Sequence, residues 1–453
     1  MVEVPRIVVA GTQSGVGKTT VASGLMAALS SKGLRVAPFK VGPDFIDPSY
    51  HTLATGRPGR NLDAFLSGPG MIAPLFAHGA RDADIAIVEG VMGLFDGKSG
   101  GGELASTAHV AKLLDAPVVL VVDAGAMARS VAAMVHGYKT FDPRLKVSGV
   151  ILNRVGSRAH ENMLREALKP LHVPVLGVMR RSGQIHTPDR HLGLVPAAER
   201  RAEAERSLDA LGKVLSDSVN LDEVLRLARS PEPLNIEPWR PEPAEADPDG
   251  GVRVAVAAGP SFSFLYRENT ELLEAAGAEV VTFDPTFDEK LPAGTDALYL
   301  GGGFPETYAE ALSANVGMRE SVRDFALGGR PVVAECGGLL YLTRELDGHP
   351  MCGVLDATAG MTERLTLGYR EAMALIDSPL AKAGAEVRGH EFHYSTVEPA
   401  TGEKQAWDLA GRGPEGFVAG GVHASYLHTH WAATPELPRR LVRAACRAVE
   451  AGV

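Results

Sequence analysis

Two stretches of this chain carry side chains whose types and spacing could do chemistry, and they lie far apart in the sequence. In the first, GTQSGVGKTT (Gly11 to Thr20), glycines let backbone N–H groups close around phosphate oxygens, Lys18 neutralises them, and the Thr19 hydroxyl can bind Mg²⁺. Thr12, Ser14, Gly15, Val16, Gly17, Lys18, Thr19 and Thr20 are the residues expected to cradle a nucleotide. The common spacing puts a glycine five residues before Gly17; here that place is Thr12, and Gly11 stands one residue earlier. In the second stretch, VVAECGGLLYL, Cys336 closes an apolar run and precedes Gly337, Gly338 and a helix-like segment. That is the setting of a nucleophile on a strand-to-helix turn, where the helix dipole favours the thiolate. The usual elbow has glycine two residues before the nucleophile, and here it is Ala334. A cysteine nucleophile needs an imidazole within reach, and VHASYLHTHW supplies His428 and His430. Gly302 and Gly303 of LYLGGGFPE, with Gly337, can offer N–H groups to a tetrahedral oxyanion. Cys352 and Cys446 lack such settings and read as packing residues.

Further polar residues fall where strands should end. FKVGPDFIDPSYH carries Lys40, Asp44 and Asp47, and IAIVEGVMGLFDG carries Glu89. Mg²⁺ takes a few hard oxygens beside phosphate oxygens, and Thr19, Asp44, Asp47 and Glu89 could supply them. Singly, each carboxylate reads as a solvated turn or a helix cap. Asn153 ends the strand-like GVILN, at the sheet edge where adenine would be read.

Positioning these groups needs two sheets. From RIVVAG to PVLGVM, apolar β-branched runs alternate with helix-like segments, which indicates a parallel sheet covered on both faces. Around Ser230 the texture changes to SPEPLNIEPWRPEPAEADPDG, read as a semi-extended linker. A second α/β series starts at VRVAVAAG. The expected organisation is therefore a nucleotide domain over residues 1–229, a proline-rich linker over 230–250 and a second α/β domain over 251–453. A chain of 453 residues exceeds what one core usually organises. The net charge of −10 argues against general affinity for nucleic acid or acidic membranes. Three scattered cysteines fit neither a disulfide framework nor a zinc site. With no signal-like start and no apolar run of about 18 residues, the expected location is the cytoplasm.

GTQSGVGKTT, FKVGPDFIDPSYH, IVEGVMGLFDG, LYLGGGFPE, ECGGLLYL, GHEFHYS and ASYLHTH, in this order over essentially the whole chain, resemble the cobyrinic acid a,c-diamide synthase family. Its members are similar to dethiobiotin synthetase in the N-terminal half and to class I glutamine amidotransferases in the C-terminal half. The resemblance implies an α/β chain, a P-loop synthetase domain followed by a class I glutamine amidotransferase-like domain. It implies glutamine hydrolysis at Cys336 and ATP-dependent amidation of the a and c carboxylates of a corrin ring, cobyrinate or hydrogenobyrinate, with ATP and Mg²⁺. Asp44, Asp47 and Glu89 match acidic residues that the family uses around metal and substrate. Class I glutaminases typically place a glutamate two residues after the catalytic histidine, where this chain has His430. The pair implied is Cys336 with His428, and His430 is the alternative. For a polycarboxylate substrate, Lys40, Arg57, Arg60, Arg190 and His191 are candidate anchors beside Asp44 and Asp47. The other partners are glutamine and, if the chain assembles, a second copy in a homodimer. The rival readings are cobyric acid synthase, a synthase acting on a nickel tetrapyrrole, and a partitioning-type P-loop ATPase, which would need neither ECGG nor YLHTH.

Overall fold

Strands that are apolar along their whole length need cover on both faces. In the computed structural model, which describes residues 1–181, 201–243 and 251–452, such strands build two separate units, Met1–Arg240 and Pro241–Val453. The first unit alternates β1 (Arg6–Gly11), α1 (Lys18–Ser31), β2 (Val36–Val41), α2 (Ile46–Thr55), β3 (Arg60–Leu62), α3 (Pro69–Gly79), β4 (Ile85–Glu89), α4 (Thr107–Leu113), β5 (Val118–Asp123), α5 (Ser130–Thr140), β6 (Val147–Val155), α6 (Arg158–Leu168) and β7 (Val175–Arg180). Helices α7 (Arg201–Ser218) and α8 (Leu221–Ala228) complete it. The strand order is β3-β2-β4-β1-β5-β6-β7, with every pairing parallel. Polar residues at the ends of β1, β2, β4 and β6 therefore meet along one carboxyl edge.

The proline-rich segment departs from the expected linker. Leu234 exchanges two backbone hydrogen bonds with Val2, at 2.8 and 2.9 Å. Trp239 is buried, packs edge-on against His78 and donates its N–H to the Pro74 carbonyl at 2.9 Å. Composition flagged the prolines, but the two apolar side chains have more to gain by docking on the first unit than by staying in water. The division into units accordingly falls after Arg240.

The second unit starts with β8 (Arg253–Ala257), α9 (Arg267–Ala275), β9 (Glu279–Phe283), β10 (Ala297–Leu300), α10 (Ala309–Ala314), α11 (Val316–Leu327), β11 (Val332–Glu335) and α12 (Gly337–Leu342). Its central sheet is completed by β18 (Phe417–Ala419) and β19 (Val422–Ser425), in the order β18-β19-β11-β10-β8-β9. A further sheet gathers the short β12 (Glu345–Leu346) and β13 (His349–Pro350), the long hairpin of β14 (Thr358–Ala374) and β15 (Glu386–Glu398), β16 (Trp407–Leu409), β17 (Gly413–Glu415) and β20 (His428–Thr429). Helix α13 (Glu436–Glu450) closes the unit. Among the described residues no helix is long and apolar enough to cross a membrane.

Candidate active sites

β1 feeds directly into the glycine-rich loop, and α1 begins at Lys18. Gly17 has φ 96°, and a Cβ there would stand 2.3 Å from Asn153 Nδ2, so only glycine fits. At Gly11 a Cβ would meet Val16 Cγ2 at 2.6 Å. Gly11 is thus the close-packing glycine of a loop one residue longer than the common spacing, which accounts for Thr12. The Thr12 carbonyl accepts from the Tyr138 hydroxyl at 2.5 Å.

The loop is braced from β6. Asn153 Nδ2 donates to the Val16 carbonyl at 2.9 Å. Arg154, in a left-handed conformation at φ 58°, donates to the Gly15 carbonyl at 3.0 Å and pairs with Asp123 at 2.5 Å. Asn153 therefore stands at the expected edge, with its amide committed to holding the loop. Lys18 Nζ folds over the turn onto the Gln13 carbonyl at 3.0 Å. Burial, and then the nearby Lys40, bring the Lys18 ammonium down to about 8.

Behind the loop, Thr19 Oγ1 donates to Glu89 Oε1 at 2.6 Å and lies 3.2 Å from Asp47 Oδ2. Buried Lys40 bridges the same oxygens, 2.5 Å from Asp47 Oδ2 and 2.8 Å from Glu89 Oε1, and reaches the Gly90 carbonyl at 3.2 Å. Burial alone would lower the Lys40 ammonium, but Asp47, Glu89 and Asp44 together hold it above its ordinary value. Burial is likewise outweighed at Glu89, where Lys40 and His51 keep the carboxyl well below its usual range. Asp47 shows the opposite result, raised by burial and by its neighbour Glu89.

Three hard oxygens, Thr19 Oγ1, Asp47 Oδ2 and Glu89 Oε1, thus converge as the donor set of Mg²⁺ should. Asp44 stands beside them, its Oδ1 accepting from Ile46 N at 2.8 Å and Asp47 N at 3.1 Å at the start of α2 and its Oδ2 3.8 Å from Lys40 Nζ. Among the described residues no group of three or more His, Cys, Asp or Glu side chains could hold a metal by itself. A cation here would complete its shell with phosphate oxygens and water, as Mg²⁺ commonly does.

The expected anchors fare differently. Lys40 is enclosed by carboxylates rather than presented to a ligand. Arg57 donates to the Gly79 and Arg81 carbonyls at 3.2 and 2.7 Å, and Arg60 packs against the same end of α3. Arg60 opens β3 opposite Phe39, one residue before Asn61, which stands opposite Lys40, while Arg57 is committed to the end of α3 that precedes β4. Arg190 and His191 lie outside the described residues.

In the second unit, β11 delivers Cys336 into a turn at φ 48°, ψ −99°. A non-glycine residue there stores strain of about 1–3 kcal/mol. Its amide donates to the Ser425 carbonyl of β19 at 2.8 Å, which pins the elbow to the neighbouring strand. Ala334 fits in place of the usual glycine, fully buried between β10 and β19. Of the three glycines expected around an oxyanion, Gly302 is committed elsewhere, because its N–H donates to the Phe264 carbonyl at 3.2 Å. Gly303 N faces the turn, 3.0 Å from where a Cβ on Gly337 would stand. Gly302 instead makes room for the base, since a Cβ there would meet His428 Cε1 at 2.2 Å. The Cys336–Gly337 turn packs on Gly302 and Gly303, and His428 packs on Gly302.

His430 is engaged differently, with Nε2 3.5 Å from Glu268 Oε2 and its ring 4.7 Å from that of Tyr266. Cys336 also lines a small cavity with Glu306, Leu340, His393 and Ser395. Cys352 is buried and Cys446 half-buried, both as free thiols.

Burial pushes the Cys336 thiol up, with Glu306 adding to it, and outweighs the Gly337 N–H. The expected helix-dipole stabilisation of a thiolate is not the deciding effect. Burial, and then His393, take His428 down to about 3. The resting pair is a neutral thiol and a neutral imidazole. Carboxamidomethylation of Cys336 by iodoacetamide, followed by peptide mass, should therefore be slow at neutral pH and rise without an inflection near pH 7. A thiolate inflection below neutrality would contradict the neutral pair. Because His428 protonates only far below its ordinary value, glutaminase kcat should not fall between pH 7 and pH 5 through this imidazole.

Several participants were not legible in the motifs. His51 Nε2 lies 2.7 Å from Glu89 Oε2, with both side chains fully buried. Glu335, beside the nucleophile, accepts from the Thr429 hydroxyl at 2.7 Å and from the Tyr299 hydroxyl at 3.0 Å, and burial brings its carboxyl up to about 7.

Comparison with known proteins places both halves. The CobQ/CobB/MinD/ParA nucleotide binding domain matches residues 7–195, and the CobB/CobQ-like glutamine amidotransferase domain matches residues 253–436. The chain is 58% identical to a hydrogenobyrinate a,c-diamide synthase of Streptomyces coelicolor, over 97% of each. It is 52% identical to one of Mycobacterium tuberculosis, over 98% of each. A cobyrinate a,c-diamide synthase of Synechococcus sp. is 43% identical over 97% of this chain and 98% of that protein.

Proposed function

This chain belongs to the hydrogenobyrinate and cobyrinate a,c-diamide synthase family, and from that premise we propose that it converts the a and c side-chain carboxylates of metal-free hydrogenobyrinate to amides. It is a glutamine-dependent, ATP-driven carbon–nitrogen ligase. The metal-free ring is favoured over cobyrinate because the more similar relatives carry it in their names. Residues 1–229 do the synthetase work and residues 251–453 the glutaminase work. The observation that carries this reading is Cys336, strained at a turn that packs on Gly302 as His428 does, in the same chain as a lysine-bearing phosphate loop.

A carboxylate does not react with ammonia at neutral pH, because its leaving group would be oxide or hydroxide. Its oxygen attacks the γ-phosphorus of ATP, ADP leaves, and the acyl phosphate that results has phosphate as its leaving group. The backbone of residues 12–20 and the Lys18 ammonium bind the phosphates, and Asn153 and Arg154 hold that backbone in shape. Thr19, Asp47 and Glu89 would hold Mg²⁺ beside the phosphates, where it would supply neutralisation of their charge. Lys40 keeps those carboxylates gathered in the buried site.

In the second unit, Cys336 Sγ attacks the glutamine side-chain amide as its proton passes to His428. His428 returns the proton to the departing nitrogen, which leaves as ammonia. The N–H groups of Gly303 and Gly337 receive the oxyanion. Water, deprotonated by His428, then releases glutamate from the thioester. Ammonia displaces phosphate from the acyl phosphate, loses a proton, and leaves the carboxamide.

The test is direct. Incubation of the enzyme with ATP, Mg²⁺, glutamine and either hydrogenobyrinate or cobyrinate, followed by mass spectrometry of the ring, should show two added amides on hydrogenobyrinate. No change on either ring would overturn the function, and change on cobyrinate alone would overturn the ring assignment.

A further inference from the structure

The motif GHEFHYS lies in β15, and the reaction above uses none of its side chains. β15 pairs antiparallel with β20 so that His390 stands directly opposite His428 and Gly389 opposite Thr429. Residues facing each other across such a pair have their side chains in contact. The close approach depends on Gly389, where a Cβ would lie 2.5 Å from Leu427 Cγ and 2.6 Å from the His428 carbonyl. With the strands this close, the two imidazoles lie nearly parallel, at 12° with centroids 4.9 Å apart. His390 is itself fixed, since its Nε2 is 2.9 Å from the Tyr266 hydroxyl in a contact buried on all sides.

The torsion that turns a histidine ring about its own axis is soft. A base acts only when a ring nitrogen faces the proton it takes, so something must set the plane of His428. Gly302 leaves room at one edge of the ring without gripping it, and Phe264 stands further off, at 6.4 Å and tilted by 53°. The flat contact with His390 defines a plane for the ring.

We propose that His390, anchored by Tyr266 and stacked on His428, is a positioning residue of the glutaminase half-reaction, which fixes the plane of the catalytic imidazole. The proposal rests on the reading of His428 as the base. The charged and titratable groups facing the two rings are His393 and Glu391, which act on His428, and Arg370, which acts on His390. Burial and then His428 disfavour protonation of His390, and burial and then His393 disfavour that of His428.

The experiment compares the full-length enzyme with His390→Ala, His390→Phe, Tyr266→Phe and His428→Ala variants. It reads glutaminase kcat and KM for glutamine, together with amidation driven by ammonium salt. His390→Ala should lower glutaminase kcat about 10–100-fold, a part of the roughly 10²–10⁴-fold that a positioned base contributes, with KM changed less than about twofold. His390→Phe keeps a flat ring against His428 and should recover most of that loss. Tyr266→Phe should lower kcat severalfold. Ammonium-driven amidation should stay at the wild-type rate in the His390 and Tyr266 variants.

Wild-type kcat in His390→Ala, or a His390→Phe variant as slow as the alanine variant, overturns the proposal. If His390→Ala does not fold, Tyr266→Phe, which removes one oxygen atom, decides by itself: wild-type kcat there overturns the proposal. Retained glutaminase in His428→Ala would instead refute the underlying choice of base. A dead His428→Ala beside fully active Tyr266→Phe and His390→Ala refutes only the positioning role.

Discussion

Replacing Cys336 with alanine should abolish glutamine-dependent amidation, by about 10³-fold or more, and leave amidation by added ammonium salt intact. Water does not hydrolyse a carboxamide at a useful rate, so without the sulfur there is no thioester and no ammonia. The carboxylate-activating site lies in the other unit and owes nothing to the thiol. The variant should fold normally, because Cβ and the left-handed turn at φ 48° are common to both residues. Losing the buried sulfur costs about 1 kcal/mol. The assay is ring mass after incubation with each nitrogen source. Survival of glutamine-driven amidation would remove Cys336 from the mechanism.

Lys18→Ala should act the other way, removing amidation from both nitrogen sources by about 10²–10³-fold while glutaminase turnover continues. Lys18 is the one charged residue in GTQSGVGKTT, and its ammonium already lies over the turn where phosphate would enter. Its depressed pKa of about 8 adds a signature. The charged form is the one that binds phosphate, so affinity for ATP in the free enzyme should weaken as pH rises through about 8. The alanine variant should not show that limb. An amidation rate near wild type from ammonium would exclude Lys18 from phosphate binding.

Both motifs could be read from sequence because close backbone approach admits so few residues. Gly17 against Asn153 and the glycines beside Cys336 are demanded by space that any side chain would fill. Carboxylates at strand ends were also legible as a group, and Asp44 in addition accepts hydrogen bonds from the first turn of α2. What stayed hidden depends on partners distant in the chain: His51 on Glu89, Tyr266 on His390, Thr429 on Glu335. No periodicity reports such pairs.

The protonated, enclosed state of Cys336 also bears on oxidative damage. Peroxides attack thiolates far faster than thiols, and reach exposed sulfur far faster than buried sulfur. A nucleophile that is 4% exposed and held above its ordinary pKa offers an oxidant very little of either. In the proposed mechanism the sulfur would acquire its reactivity when glutamine occupies the site and the proton passes to His428. This enzyme should therefore outlast, under peroxide stress, cysteine enzymes that keep a standing thiolate.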